Sequence, residues 1–117
     1  MKKLLVAMAC AALAACTTAE SLQQRPLDWT ADYAVPWETM ANCLQAGFPG
    51  STVSPRYNQR NRTAALAISM PGIIAPGPVI AEYTVRGDGD ERSRVEMKTW
   101  YGSKVYGRDE ADRCARS

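Results

Sequence analysis

The sequence predicts a small two-layer α+β domain with an N-terminal helix, a four-stranded antiparallel meander sheet and a short C-terminal helix. Apolar residues recur at helical spacing around residue 40, and from residue 52 the pattern changes to alternation of apolar and polar residues. Such alternation is typical of antiparallel strands with one face on a core and the other in water. Two widely separated cysteines further predict that a disulfide links the two helices.

Residues 1–15 are predicted to lie outside this domain. Lys2 and Lys3 precede an unbroken apolar stretch from Leu4 to Ala15, which is shorter than the roughly 20 residues that a membrane-spanning helix needs. A basic start, a short apolar middle and a small-residue end are the parts of a secretory signal peptide. We therefore expect residues 1–15 to be cleaved from the mature chain.

The segment Leu13-Ala14-Ala15-Cys16 stands where cleavage is expected, and it resembles the lipobox of bacterial lipoproteins. The resemblance implies that the Cys16 thiol receives a diacylglyceryl group, that cleavage occurs just before Cys16, and that the new amino terminus is acylated. Thr17 stands where retention in the inner membrane usually shows Asp, so the resemblance also implies a lipid anchor in the outer membrane, facing the periplasm. The alternative is ordinary secretion, in which Cys16 has no special role.

The mature chain is predicted to begin with a tether. Residues 16–26 are mostly polar and lack apolar periodicity, which predicts a lipidated flexible segment before one globular domain over residues 27–117. The 14 basic residues outnumber the 12 acidic ones by two, and Lys2 and Lys3 leave with the signal peptide. The mature chain is therefore formally neutral, and its charge gives no reason to expect nucleic acid as a partner.

The first helix is predicted over residues 36–46. Pro36 favours the first helical position, and Gly47 is typical of a helix end. The apolar residues recur at i, i+3, i+4 and i+7 and form one face, made of Trp37, Met40, Ala41 and Leu44. We interpret this stripe as core packing rather than as a ligand-binding site.

Four strands follow in the alternating region. They are predicted at Thr52–Tyr57, Thr63–Met70, Val79–Arg86 and Arg94–Tyr101. Pro55 interrupts the first strand, and because proline lacks a backbone N–H, that strand is predicted to lie at the edge of the sheet.

The last two strands are predicted to form a tight hairpin. Asp88-Gly89 favours a turn, and a three-residue loop centred on Asp88 would place Arg86 opposite Asp90. The same register places Glu82 opposite Arg94. Opposite charges would then pair across the outer face of the sheet, which supports this register.

A short C-terminal helix is predicted within GRDEADRCARS, residues 107–117. The signal peptide removes Cys10 and lipid occupies Cys16, so Cys43 and Cys114 remain in an exported chain, and an even remainder predicts a disulfide. Closing a loop of about 70 residues would stabilise the domain by roughly 4 kcal/mol in the chain-entropy model. A zinc site would need more ligands than two distant cysteines supply.

Catalytic chemistry is not indicated. The chain has no histidine, which excludes Ser-His and Cys-His catalysis. Glu38 is a lone carboxylate, and Glu82 with Glu96 could form a hydrolytic pair across two strands, but all three occupy positions typical of solvent-facing charges. We expect no enzyme activity, no catalytic residues, no cofactor and no metal.

Two stretches are candidates for binding a partner. Arg56, Arg60 and Arg62 lie in a polar hairpin loop that suits anionic glycan or lipid head groups, although a solvated turn is the alternative. Ile73 and Ile74 lie between two Pro-Gly turns, where they either fold over the edge of the core or meet a partner.

Two classes of function agree with these observations. The favoured one is a non-enzymatic, lipid-anchored protein of the cell envelope, an interaction or accessory module whose partner is an envelope protein or an anionic glycan. The alternative is an inhibitor of a secreted or periplasmic hydrolase, which would insert a loop into the enzyme's cleft.

Overall fold

Five antiparallel strands and two helices make up the described part of the chain. The computed structural model describes Leu22, residues 24–71 and residues 77–116. The predicted signal peptide, Cys16, Ile73 and Ile74 lie outside the described residues. In chain order the elements are β1 (Trp29–Tyr33), α1 (Trp37–Gln45), β2 (Thr52–Asn58), β3 (Thr63–Ser69), β4 (Val79–Gly87), β5 (Ser93–Thr99) and α2 (Arg108–Arg116).

The strands form one sheet in the order β1-β5-β4-β3-β2. Its last four strands are consecutive, so the predicted α+β class and antiparallel meander are confirmed. The prediction of four strands was wrong, because β1 pairs with β5 and places Trp29 opposite Met97. The strand that contains Pro55 lies at an edge, as predicted, where a residue without a backbone N–H is tolerated.

Helix α1 carries the predicted apolar face. Trp37, Met40, Ala41 and Leu44 are all buried against the sheet. The helix ends near Gly47, whose backbone N–H donates to Leu44 O over 3.1 Å. Packing of this face covers one side of the sheet, which we call the inner face.

Tyr83 lies at the centre of the core. Its ring is fully buried on β4, with the ring centroids of Trp29 and Phe48 at 6.2 Å and 5.8 Å. Its hydroxyl donates to Gly107 O over 2.5 Å, so the residue before α2 is fixed to the middle of the sheet. The surrounding core is formed mainly by Met40, Leu44, Leu66, Ile68, Val85, Val95 and Met97.

The predicted register of the β4–β5 hairpin was wrong. Arg86 lies opposite Arg94 and Glu82 opposite Lys98, and pairing continues to Gly87 and Ser93. The strands are displaced by an even number of residues from the predicted register, so the apolar and polar faces are nevertheless those expected. The loop is longer than expected and spans residues 88–92.

Gly87 explains why the strands pair beyond the predicted turn. A Cβ atom on Gly87 would lie 2.9 Å from Cδ1 of Trp37, so the indole packs directly on its backbone. The Gly87 N–H also donates to Arg62 O over 2.8 Å. Both contacts hold Gly87 within β4 and leave the turn to the residues that follow it.

Cys43 and Cys114 form the predicted disulfide, which joins α1 to α2 across 71 residues of chain. Helix α2 contributes two buried side chains, Ala111 and Cys114, to the core. The disulfide therefore lies at the principal contact of α2 with the rest of the fold.

Stability is expected to fall at alkaline pH because the pKa values of four tyrosines are raised in the folded chain, most strongly those of Tyr83 and Tyr33. Burial raises the pKa of Tyr83, and burial followed by the hydrogen bond to Asp112 raises that of Tyr33. Unfolded tyrosines ionise near pH 10, so the stabilisation is complete below about pH 10 and is lost as the pH rises above it. Urea unfolding from about pH 8 to about pH 11 should show this decline, and Tyr83→Phe should reduce its slope. A slope equal to that of the unmodified chain would contradict the assignment to Tyr83.

Candidate functional site

The sheet has two different ends. At the tether end, the chain enters β1 beside the last residues of β5. At the hairpin end lie the β2–β3 loop, the β4–β5 loop and the beginning of α1. Strand β4 is nine residues long, which places the two ends about 30 Å apart.

A cleft of about 250 Å³ lies at the hairpin end. Three segments that are distant in sequence form it: the beginning of α1, the end of the β2–β3 loop and the turn of the β4–β5 loop. Its lining residues are Pro36, Trp37, Glu38, Arg62, Gly89 and Asp90. Trp37 supplies a rigid apolar wall. The charged lining residues are one cation, Arg62, and two carboxylates, Glu38 and Asp90.

Arg62 adopts a backbone conformation that is unusual for its residue type. Its φ angle is +53°, in the left-handed region that favours glycine. This conformation costs about 1 kcal/mol or more for a residue with a side chain. The hydrogen bond that Arg62 O accepts from the Gly87 N–H offsets part of this strain.

The Arg62 guanidinium meets Asp90 across the cleft. Nη1 of Arg62 lies 3.3 Å from Oδ1 of Asp90, and the two side chains are 55% and 91% exposed. An ion pair this exposed contributes little to stability. The guanidinium can therefore exchange Asp90 for an external carboxylate or other anion at small cost.

The beginning of α1 adds polarity to the same cleft. Pro36 is the N-cap residue and provides no side-chain hydrogen bond to the first helical turn. Glu38, in that first turn, places a carboxylate near the positive end of the helix, which is favourable. The cleft thus offers a cation in Arg62 and carboxylates in Glu38 and Asp90.

The structure separates the three arginines that the sequence groups together. Arg62 lines the cleft, and Arg60 is exposed in the loop beside it. Arg56 lies instead on the outer face of the sheet, where its Nη2 is 3.7 Å from Oε2 of buried Glu82. Only Arg60 and Arg62 are therefore placed to act on one ligand at the hairpin end.

Ion pairs organise the outer face, the side of the sheet that no described helix covers. Nε of Arg86 lies 2.6 Å from Oε1 of Glu96, and Nε of Arg94 lies 3.0 Å from Oδ1 of Asp32. The hydrogen bond from Arg94 lowers the pKa of Asp32. Because Glu96 lies opposite Thr84 and is bonded to Arg86, it does not face Glu82 as a hydrolytic pair requires.

The cleft was not predicted from the sequence, although one of its residues, Arg62, was predicted to bind a partner. Glu38 and Asp90 gave no binding signal, since each is typical of a helix start or a turn. The left-handed conformation of Arg62 also leaves no mark in the sequence, where glycine or asparagine would be expected. The polar composition of the β2–β3 loop was the only feature of the sequence that indicated a binding site there.

The described residues contain neither a cluster of metal ligands nor a membrane-spanning helix. No group of three or more His, Cys, Asp or Glu side chains in that part of the chain could hold a metal ion. Neither described helix is long and apolar enough to span a bilayer.

No protein-family model, curated protein or solved structure matches this chain.

Proposed function

We propose that this chain is a non-enzymatic protein of the cell envelope, anchored by lipid on Cys16, that binds another envelope protein in the hairpin-end cleft. The observation that carries the binding proposal is Arg62. An arginine is placed in a costly backbone conformation beside a cleft, and its charge is held there by only an exposed ion pair. A residue of this kind is better explained by binding than by stability.

The position of the cleft supports the same proposal. The tether joins the domain at the opposite end of the sheet, so a partner can approach the cleft without meeting the anchor. The cleft carries both signs of charge around Trp37, which suits a polypeptide with basic and acidic side chains better than a uniformly anionic glycan.

Replacing Cys16 tests the anchor. Cys16→Ser is expected to leave the signal peptide uncleaved and the chain free of lipid, because the thiol that accepts the diacylglyceryl group is absent. Intact-mass measurement of the membrane-extracted protein should show the lipid on the unmodified chain and its loss from the variant. Cys10→Ser is the matched control, since it removes a thiol from the same segment and should be processed normally. A water-soluble mature chain that begins at another residue would contradict the proposal.

Replacing Arg62 tests the binding site. Arg62→Gly removes the guanidinium while suiting the left-handed backbone, so the domain should stay folded and lose partner binding by about tenfold, as one charge-assisted contact of 1.4 kcal/mol implies. A photo-crosslinking amino acid at Glu38, introduced in cells that make the protein, should give a specific protein adduct that Arg62→Gly abolishes. The same crosslinker at Arg113, exposed on α2, should not give that adduct.

The outcome of this crosslinking also separates the alternatives. An adduct with a hydrolase would favour the inhibitor, whose exposed loop at residues 88–92 borders the cleft. An adduct with glycan instead of polypeptide would contradict the protein partner. An adduct that survives Arg62→Gly would show that the cleft is not the binding site.

A further inference from the structure

Exposed apolar side chains collect at the tether end of the sheet. Among the large apolar side chains exposed in the described residues, all but Tyr57 lie there. They are Leu27, Met70, Trp100, Tyr101 and Val105. Tyr101 is 59% exposed and Val105 is 74% exposed, so these side chains meet water rather than the core.

Two of these residues are bonded to the same short segment of backbone at the ends of neighbouring strands. Met70 N–H donates to Pro78 O over 3.1 Å, and Trp100 Nε1 donates to Val79 O over 2.8 Å. Met70 and Trp100 are thus bonded to adjacent residues at the beginning of β4. Tyr101 follows Trp100 directly, and its ring lies 6.1 Å from that of Tyr106 in the loop before α2.

Hydrogen bonds hold the loop that presents Tyr101 and Val105. Ser103 N–H donates to Oγ1 of Thr99 over 2.8 Å, and Ser103 Oγ accepts the Val105 N–H over 3.3 Å. Thr99 in turn donates to the buried carboxylate of Asp28 over 2.6 Å. Lys104 is the only charged residue between Trp100 and Gly107. A fixed loop therefore exposes apolar groups beside Lys104, and the neighbouring carboxylate of Asp28 is buried.

The described end of the tether lies on the same surface. The guanidinium carbon of Arg25 lies 5.8 Å from the ring centre of Trp100, and Asp28 N–H donates to Met97 O over 2.8 Å. Leu22, within the predicted tether, is fully buried. The chain between Cys16 and Leu22 spans at most roughly 20 Å when extended. A lipid on Cys16 would keep this end of the domain close to the bilayer.

We propose that the tether end rests on the membrane surface, with Trp100, Tyr101 and Val105 in the headgroup region. This inference rests on the lipid anchor proposed above. Tryptophan and tyrosine favour the interface because their rings combine apolar surface with one polar group. The Trp100 N–H is already bonded to Val79 O, so Trp100 would contribute its ring and Tyr101 its hydroxyl. Arg25 and Lys104 can reach anionic headgroups from the same surface. The hairpin-end cleft then points away from the membrane.

Tryptophan fluorescence tests this contact in the lipid-modified mature chain. The chain is placed in vesicles of phosphatidylethanolamine and phosphatidylglycerol, with or without bromine on the upper acyl chains. Trp29 and Trp37 are each 6% exposed, so Trp100 is the indole that bromine should reach. We expect bromolipid to quench the unmodified chain and Trp100→Phe to lose most of that quenching. Val105→Asp, at an exposed position, should reduce the quenching at least about twofold by repelling anionic headgroups.

A matched control moves the reporter to the other end of the sheet. Adding Arg60→Trp to Trp100→Phe exposes an indole in the β2–β3 loop, and bromolipid should not quench it. Equal quenching of the two indoles would overturn the orientation.

The mass of the same preparation separates the two proposals. Lipid on Cys16 together with an unquenched Trp100 overturns the membrane contact alone. A mature chain without lipid overturns the anchor itself. If a second copy covers this end, Trp100 emission shifts with protein density and bromine has no effect, which also overturns the contact.

Discussion

Breaking the Cys43–Cys114 disulfide is expected to lower the free energy of unfolding by about 4 kcal/mol. The two cysteines lie 71 residues apart, so their bond removes much of the unfolded chain's freedom. A domain of this size buries a small core, and its total stability is only about 5–15 kcal/mol. The free energy lost with the disulfide would therefore be a large fraction of the domain's total stability.

Loss of the disulfide should destabilise α2 before the rest of the domain. This helix has nine residues, of which Ala111 and Cys114 are buried, and isolated helices shorter than about 12 residues are marginal in water. Without the bond, α2 keeps its contact with α1 through little apolar surface. Reduction should therefore release α2 from the sheet before the strands separate.

Urea unfolding with and without a thiol reductant measures the loss. The Cys43→Ala, Cys114→Ala double variant is the control, and it should match the reduced chain because neither contains the bond. Hydrogen exchange should show faster exchange in Arg108–Arg116 than in β3 and β4 once the bond is broken. Equal unfolding midpoints for oxidised and reduced chains would show that the disulfide contributes nothing.

Helices and strands whose buried residues recur at a regular spacing were predictable from the sequence. Helix α1 shows this most clearly, because Trp37, Met40, Ala41 and Leu44 fix its length and its buried face together. The disulfide followed from the predicted export and from counting the cysteines that remained. Both arguments depend on local pattern or composition and need no knowledge of which strands are neighbours.

The missed strand and the wrong register both concern the neighbours of Arg94. The predicted register was set by a three-residue turn centred on Asp88, and the pairing of Arg94 with Glu82 that followed from it was taken as support. In the structure β1 lies beside β5 and supplies Asp32 directly opposite Arg94. Once Arg94 has that partner, Arg86 can lie opposite it and bind Glu96 instead. Charge pairing alone therefore could not set the register without β1.

The cleft was less predictable than the fold because three distant segments form it. Glu38, Arg62 and Asp90 are brought together only by the packing of α1 on the sheet and by the length of the β4–β5 loop. The length of that loop depends on the β4–β5 register, which was predicted wrongly. A polar loop can be recognised in a sequence, but the groups that face it cannot be named until the strands are aligned.

Gly107→Ala is expected to destabilise the domain by about 3 kcal/mol, through backbone strain and overpacking together. Gly107 is buried and has a φ angle of +76°, which costs about 1–2 kcal/mol for alanine. The new Cβ atom would lie 2.7 Å from Cε of Met97 and 2.9 Å from Cζ of Tyr83, with the Tyr83 hydroxyl closer still. Tyr83 cannot withdraw easily, because its ring is fully buried between Trp29 and Phe48.

Gly50→Ala separates the two contributions. Gly50 has a φ angle of +88°, but a Cβ atom there would meet nothing within 4 Å, so this variant should lose only the backbone part, about 1–2 kcal/mol. Urea unfolding of both variants gives the packing part as their difference. Displacing the Tyr83 hydroxyl from Gly107 O would also loosen the beginning of α2, whose Ala111 N–H donates to the same carbonyl over 3.2 Å. Equal losses for the two variants would mean that Tyr83 and Met97 move aside freely, and that the core around Gly107 is less tightly packed than the structure requires.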